Sequence, residues 1–250
     1  PGLAALAEAA RAFGQVWVVA PRHEQSGVGH GVTLSRPLRL SRVEREGRLF
    51  GHAVSGTPAD CVKVAVTASL VPRPGLVLSG VNFGRNAGIH LFYSGTVAAA
   101  IEAAMLGVPS AAVSVDFADS PDFTTAAQVA CEVIGPMVRR WADGGEAPQA
   151  LNVNVPALPR GSIRGVRLAA QCSRAFVEVM ERRGSEDGSE ACWLSDVGWP
   201  VGMEEDSDVA LVREGYVTVT PLRFDMTDWE WMRRISPADL CGLRGDRAEG

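Results

Sequence analysis

Short apolar runs alternate with helix-patterned segments over the first 115 residues, and this alternation limits the possible folds more than any other feature. Gln15-Val16-Trp17-Val18-Val19-Ala20, Leu76 to Val81 and Ser110 to Val115 each read as a strand buried on both faces. Leu3, Leu6, Ala10 and Phe13 recur at helical spacing, with Gly14 as a stop. Thr57-Pro58-Ala59-Asp60 starts a second helix, with Thr57 at the N-cap, Pro58 at N1 and Asp60 at N3. TVAAAIEAAML at 96–106 is a third, with Val97, Ile101 and Met105 on one stripe. Such alternation predicts an α/β fold with a largely parallel sheet. A helix feeding the strand at 15–20 is half of a βαβ unit, so this reading expects a strand upstream of Pro1.

The rest of the chain is patterned less sharply. Thr33 to Val43 and Leu49 to Val54 read as a strand pair turning at Glu44 to Arg48. Residues 123–141 are helical, and Gly135-Pro136 is expected to kink or divide them. Leu151 to Val155, Val166 to Gln171 and Tyr216 to Val219 are further strands, and RRGSEDGSEA at 182–191 is a polar loop. The expected organisation is one domain over residues 1–236 and a disordered tail over 237–250.

Composition removes several function classes. A net charge of −5 argues against a partner that is a nucleic-acid polymer. No apolar run reaches the roughly 18 residues of a membrane span, and no basic segment followed by an apolar one marks a signal peptide. A cytoplasmic protein is expected. The five cysteines are scattered without a CxxC pair, which predicts reduced thiols rather than a zinc site or a disulfide framework.

The chemistry concentrates in loops that follow strands. SGVGHG at 26–31 is glycine-rich, but it matches neither the P-loop nor the dinucleotide fingerprint. In SGVNFGRNAGIHLFYSG at 79–95, glycines let backbone N–H groups approach an anion, and Asn82 and Asn86 offer hard oxygen donors suited to Mg²⁺ or Mn²⁺. Ser94-Gly95-Thr96 then opens a helix whose N-terminus favours a phosphate. Ser26 and Asn82 are neutral, so a divalent cation held by them needs carboxylates from elsewhere. Asp116 and Asp119, past a strand end, are possible sources, and the expected upstream strand is another. Arg85 is a candidate phosphate clamp, and His30 a candidate proton shuttle beside Ser26.

Four stretches together resemble the SurE (survival protein E) family of metal-dependent 5'/3'-nucleotidases. They are VVAPRHEQSGVGHGVTLSRPLRL at 18–40, SGTPADCVKVA at 55–65, SGVNFGRNAGIHLFYSGTVAAAIEAAMLGVPSAAVS at 79–114 and EGYVTVTPL at 214–222. The resemblance implies a Rossmann-like three-layer core with a mainly parallel sheet, a β-hairpin extension and a C-terminal arm exchanged in a homodimer or homotetramer. It implies hydrolysis of nucleoside monophosphates with one divalent cation, Mg²⁺ or Mn²⁺, per subunit. Carried onto this sequence, Ser26 and Asn82 are metal ligands, and Asn86, Ser94 and Thr96 are catalytic. Gly27, Gly84 and Gly95 contact the substrate. The family's Asp-Asp pair, which ends its first strand, has no counterpart at or after Pro1. The alternative is a truncated or degenerate member that binds nucleotide or phosphate without catalysis. An unrelated Rossmann-type transferase fits less well, because no GxGxxG opens a helix.

Overall fold

The computed structural model describes residues 1–145, 148–184 and 189–240. Its elements are α1 (Gly2–Ala9), β1 (Val19–Pro21), β2 (Leu40–Arg45), β3 (Arg48–Val54), α2 (Pro58–Thr67), β4 (Val77–Phe83), α3 (Gly95–Met105), β5 (Ser110–Val115), α4 (Phe123–Ala142), β6 (Ala150–Val155), β7 (Val166–Leu168), β8 (Val177–Gly184), β9 (Glu190–Gly198), α5 (Asp208–Arg213), β10 (Val217–Leu222) and α6 (Trp229–Met232). No helix among the described residues is long and apolar enough to cross a membrane.

The main sheet has the order β4-β5-β6-β10-β7. β4, β5 and β6 run parallel, β10 is antiparallel to β6, and β7 is parallel to β10. The strand period of two divides this sheet into two unlike faces. Ala111, Val113 and Val115 of β5, Leu151, Val153 and Val155 of β6, and Val217 and Val219 of β10 pack with Ala126, Ala130 and Ile134 of α4 and Leu6 of α1. The alternate residues Ser114, Asn152, Asn154, Thr218 and Thr220 are buried and polar. Ala112 packs on the other side against Val97 and Ala100 of α3. Small side chains along α3 let α2 lie close outside it, through Val62, Ala99 and Ala103. The result is the α/β/α three-layer arrangement expected.

Local chemistry fixes the start of α2. Thr57 and Asp60 form a complete capping box, and Asp60 also accepts bonds from the Thr33 backbone N–H at 3.0 Å and the Thr33 hydroxyl at 2.7 Å. Burial pushes the Asp60 carboxyl up, but the bonds from Thr33 and Thr57 outweigh it and leave the group below the ordinary value of 3.8. A group held low stabilises the fold above its unfolded value and loses that contribution as pH falls through its folded value. Asp60→Ala is expected to cost about 2 kcal/mol at pH 7, with the deficit shrinking below pH 3.8. Thermal melts across that range check it.

Several boundaries differ from the sequence reading. Residues 33–39 are not strand, and the hairpin begins at Leu40, because Pro37 and the Thr33 link to Asp60 hold this stretch as a connector. α4 is continuous through Pro136, since its long apolar face, Ala126 to Ile134, is anchored in the core. Residues 182–184 and 190–191 are paired strand rather than loop: β8 and β9 form a two-stranded ladder apart from the main sheet. Residues 185–188 of that expected loop lie outside the described residues, as do 241–250 of the expected tail; Pro237–Leu240 form a short 3-10 turn.

β1, β3 and β2 make a separate sheet in that order, with β1 parallel to β3. Among the described residues, β1 pairs only with β3, and β4 only with β5. Their remaining edges face a shared apolar slot of about 580 Å³, lined by Leu6, Val18, Val19, Val62, Leu76 and Leu78 among others. Val16 to Val18 precede the β1 ladder, which begins at Val19 opposite His52.

The thiols follow burial. Cys61 and Cys131 are buried, and desolvation, with Asp60 and Glu132 nearby, pushes them up to about 12 and about 11. Cys192 is exposed. Iodoacetamide at pH 8 is expected to modify Cys192 in the native protein, and Cys61 and Cys131 only in denaturant. Peptide mass mapping checks this.

Candidate active site

The slot opens, at the carboxyl ends of β1 and β4, into a cleft of about 1390 Å³. Ligands in open α/β sheets bind at such strand ends, because the connecting loops there are free of the ladder. Ser26, Gly27, Asn82, Gly84, Asn86, Ser94, Gly95 and Thr96 all line this one cleft. Residues that stand far apart in the sequence, from 26 to 96, thus share one space.

Each loop is pinned by named contacts. Gly95, the first residue of α3, has no room for a side chain: a Cβ there would stand 2.9 Å from Pro58 Cγ, 3.3 Å from Val28 Cγ2 and 3.4 Å from the Gln25 carbonyl oxygen. This close approach presses the Ser26 loop against the start of α3. The Gly29 N–H donates to the Tyr93 carbonyl at 2.9 Å and ties the same two segments. Ser94 caps α3 by accepting from the Val97 N–H at 3.1 Å. Gly27 adopts a left-handed φ of 70° and is open to the cleft.

The loop after β4 is held from below by the polar face of the sheet. The Asn86 N–H donates to Asn154 Oδ1 at 2.8 Å, and Asn86 Nδ2 donates to Ser114 Oγ at 2.8 Å. Asn152 Nδ2 and Asn154 Nδ2 both donate to the Asn86 carbonyl, at 2.6 and 3.2 Å. Two residues on, Asp208 Oδ2 accepts the Gly88 N–H at 2.9 Å while its Oδ1 accepts that of Cys172 at 3.0 Å. Burial raises the Asp208 carboxyl despite these bonds.

Asn82 has the geometry of an oxygen donor held in readiness. Its Nδ2 donates to the carbonyls of Phe83 at 3.0 Å and Gly84 at 2.7 Å. The amide is thereby fixed, and its Oδ1 accepts from the Thr96 hydroxyl at 3.4 Å, longer than its own two donated bonds. Ser26 Oγ donates to Glu24 Oε1 at 2.7 Å, which spends its proton and keeps its lone pairs available to accept. Two hard, neutral oxygens suit part of a Mg²⁺ or Mn²⁺ shell. Among the described residues, no group of three or more His, Cys, Asp or Glu is placed to hold a metal.

Other candidates are otherwise engaged. Arg85 Nη1 lies 2.8 Å from Asp116 Oδ1, and its guanidinium sits 3.8 Å from the centre of the Trp199 ring. Asp116 is therefore committed to Arg85 and to the Phe117 N–H, at 2.8 Å. His30 faces Glu102 at 2.9 Å rather than Ser26. Glu102, buried on α3, also accepts from Lys63 at 2.6 Å and so ties the 26–31 loop to two helices. His90 stacks on Phe176 at 3.8 Å; burial, opposed by Glu178 and helped by Arg85, holds its imidazole below the ordinary value.

The sequence reading missed Glu24, Glu102, Asn152 and Asn154. The alternation Leu151-Asn152-Val153-Asn154-Val155 signals polar side chains on one face of a central strand. Glu102, a carboxylate inside an apolar helix, is a similar signal, because buried charges are paired.

The model of the family described as Survival protein SurE matches residues 1–178. A 5'-nucleotidase SurE of Syntrophobacter fumaroxidans is 44% identical over 226 residues, covering 90% of this chain and 89% of the relative. A 5'-nucleotidase SurE of Symbiobacterium thermophilum is 42% identical over 227 residues, covering 90% and 88%. The crystal structure of the SurE protein from Aquifex aeolicus superposes with a TM-score of 0.78 at 36% identity, covering 94% of this chain and 93% of that one. With these matches and a shared three-layer fold, the chain belongs to the SurE family.

Proposed function

We propose that this protein is a metal-dependent phosphomonoesterase that hydrolyses nucleoside monophosphates to nucleoside and phosphate. The observation that carries the reading is the convergence of all eight marked residues on one cleft at the carboxyl ends of β1 and β4. Relatives named 5'-nucleotidases support the substrate class.

Asn82 Oδ1 and Ser26 Oγ would hold one divalent ion, Mg²⁺ or Mn²⁺, per subunit. Both oxygens are neutral, so carboxylate donors beside them would be needed to fix the ion. When bound, the ion polarises a phosphoryl oxygen and lowers the pKa of a coordinated water. The chain's own groups bind and orient. Ser94 caps the Val97 N–H, so the N–H groups of Gly95 and Thr96, which have no intrahelical acceptor, face the phosphate with the helix dipole behind them. The Thr96 hydroxyl, which donates to Asn82 Oδ1 at 3.4 Å, would turn its proton to a phosphate oxygen once Asn82 Oδ1 holds the ion. Asn86, clamped by Ser114, Asn152 and Asn154, keeps the loop from yielding as charge develops. Gly27 and Gly84 bring backbone to the rim of the same space.

The protein acts as a cytoplasmic homodimer or homotetramer in this reading. The exposed apolar residues Trp193 and Leu194 on the hairpin, with Trp229, Trp231 and Met232 near the C-terminus, supply the contacting surface. A second reading, a nucleotide- or phosphate-binding member without catalysis, is favoured by the lack of a ligand cluster among the described residues. Genomic DNA immediately upstream of Pro1 separates the two: an in-frame strand ending in paired aspartates supports the enzyme. A phosphate-release panel of 5'- and 3'-nucleoside monophosphates, run on a chain carrying that strand, tests the substrate class. Nucleotide turnover is the expected result, and no release from any nucleotide contradicts the proposal.

A further inference from the structure

Two large aromatic rings stand half-exposed at the mouth of the cleft, immediately beside the residue read as a metal ligand. Phe83 follows Asn82, lines the cleft and is 50% exposed; Phe117 lines the same wall and is 61% exposed. Their centroids are 5.5 Å apart at 80°, an edge-to-face pair. Water contact over that much aromatic surface is unfavourable, so rings left open beside a polar site point to a ligand face.

The pair is built rather than incidental. Gly84 adopts a φ of 92°, and a Cβ there would stand 2.5 Å from the Phe117 ring. The ring thus rests directly on the Gly84 backbone, in space that any side chain would take. Behind it lies Arg85, 5.5 Å from the ring centre and itself fixed by Asp116 and Trp199. A flat apolar face is thereby held in place at low entropic cost, one residue from Asn82.

We infer that Phe83 and Phe117 form the subsite that receives the nucleobase of the substrate, with Gly84 as its seat. This rests on the phosphomonoesterase reading, which puts the phosphate at Asn82 and at the start of α3. From there a nucleoside monophosphate extends along the cleft, and its base is the flat, apolar part. Every base has a π-face, so stacking here gives affinity for nucleotides over other phosphate esters with little discrimination among bases.

Calorimetric titration of the 250-residue chain with adenosine 5'-monophosphate and ribose 5-phosphate, in EDTA so that no ester is cleaved, tests the inference. The nucleotide is expected to bind about tenfold or more tighter than the sugar phosphate, in the range that stacking one base contributes. Phe83→Ala and Phe117→Ala should each remove most of that difference and leave ribose 5-phosphate binding unchanged. Equal affinity of the wild-type chain for both ligands overturns the subsite and leaves the phosphate reading standing. No binding of either ligand overturns both. Weakened ribose 5-phosphate binding in the alanine variants assigns the rings to the loop's structure instead and likewise overturns the subsite.

Discussion

Asn82→Ala is expected to lower kcat for nucleoside monophosphate hydrolysis about 100-fold or more, in a chain that carries the strand filling the slot. Even outer-shell partners of metal ligands typically cost about 10- to 100-fold when removed, and Asn82 Oδ1 is assigned to the ion directly. The fold should be affected far less. The Asn82 side chain donates two bonds, to the Phe83 and Gly84 carbonyls, and accepts a long one from the Thr96 hydroxyl, all at the rim of the cleft. A stability loss within about 1 kcal/mol is expected. Steady-state kinetics with Mn²⁺ and a thermal melt of the same preparation separate the effects. Unchanged kcat removes Asn82 from the ligand set, and a collapse of the melt assigns it to the loop's structure instead.

The second large effect concerns the 250-residue chain by itself. Hydrolysis of p-nitrophenyl phosphate by this chain in Mn²⁺ is expected to be very poor. Ser26 and Asn82 are neutral, and Glu24 already accepts the Ser26 hydroxyl. Two neutral oxygens hold a divalent cation weakly, and hydrolytic metal sites rely on carboxylates to fix the ion. Among the described residues, β1 and β4 each leave one edge without a strand partner and both line the apolar slot, so a strand placed there should raise the melting temperature as well as the activity. Robust Mn²⁺-dependent turnover by the chain alone would remove the need for carboxylates in the slot.

Much of this architecture is legible in the sequence because its core elements are locally consistent. Ser110–Val115 is strand over the range its apolar run marks, and the small-residue stretch from Gly95 is a helix that packs on the sheet through Val97, Ala100 and Ile101, whereas Met105 of the expected stripe is exposed. The capping box at Thr57 needs four consecutive residues and no tertiary information. The motifs likewise marked eight residues that the fold brings to one cleft.

What escaped the sequence depends on contacts between distant segments. β8 is exposed along its whole length, so no buried apolar period announces the ladder it forms with β9. Pro136 sits inside a continuous helix because packing of Ala126 to Ile134 outweighs one missing backbone bond. The reason for Gly84 lies in Phe117, on another strand's loop, and the reason for Gly95 lies in Pro58 and Val28. Arg85 and His30 look like free catalytic groups in one dimension, yet each is matched by an acid, Asp116 and Glu102, that only the fold supplies.

The most direct measurement is metal reconstitution of phosphate release from adenosine 5'-monophosphate. A chain extended upstream of Pro1 by a strand ending in paired aspartates would be stripped with EDTA, then titrated with Mn²⁺. The account predicts no release from the stripped protein, and adenosine and phosphate in equal amounts once about one ion per subunit is bound. Release that persists without metal, or its absence at saturating Mn²⁺, would contradict it.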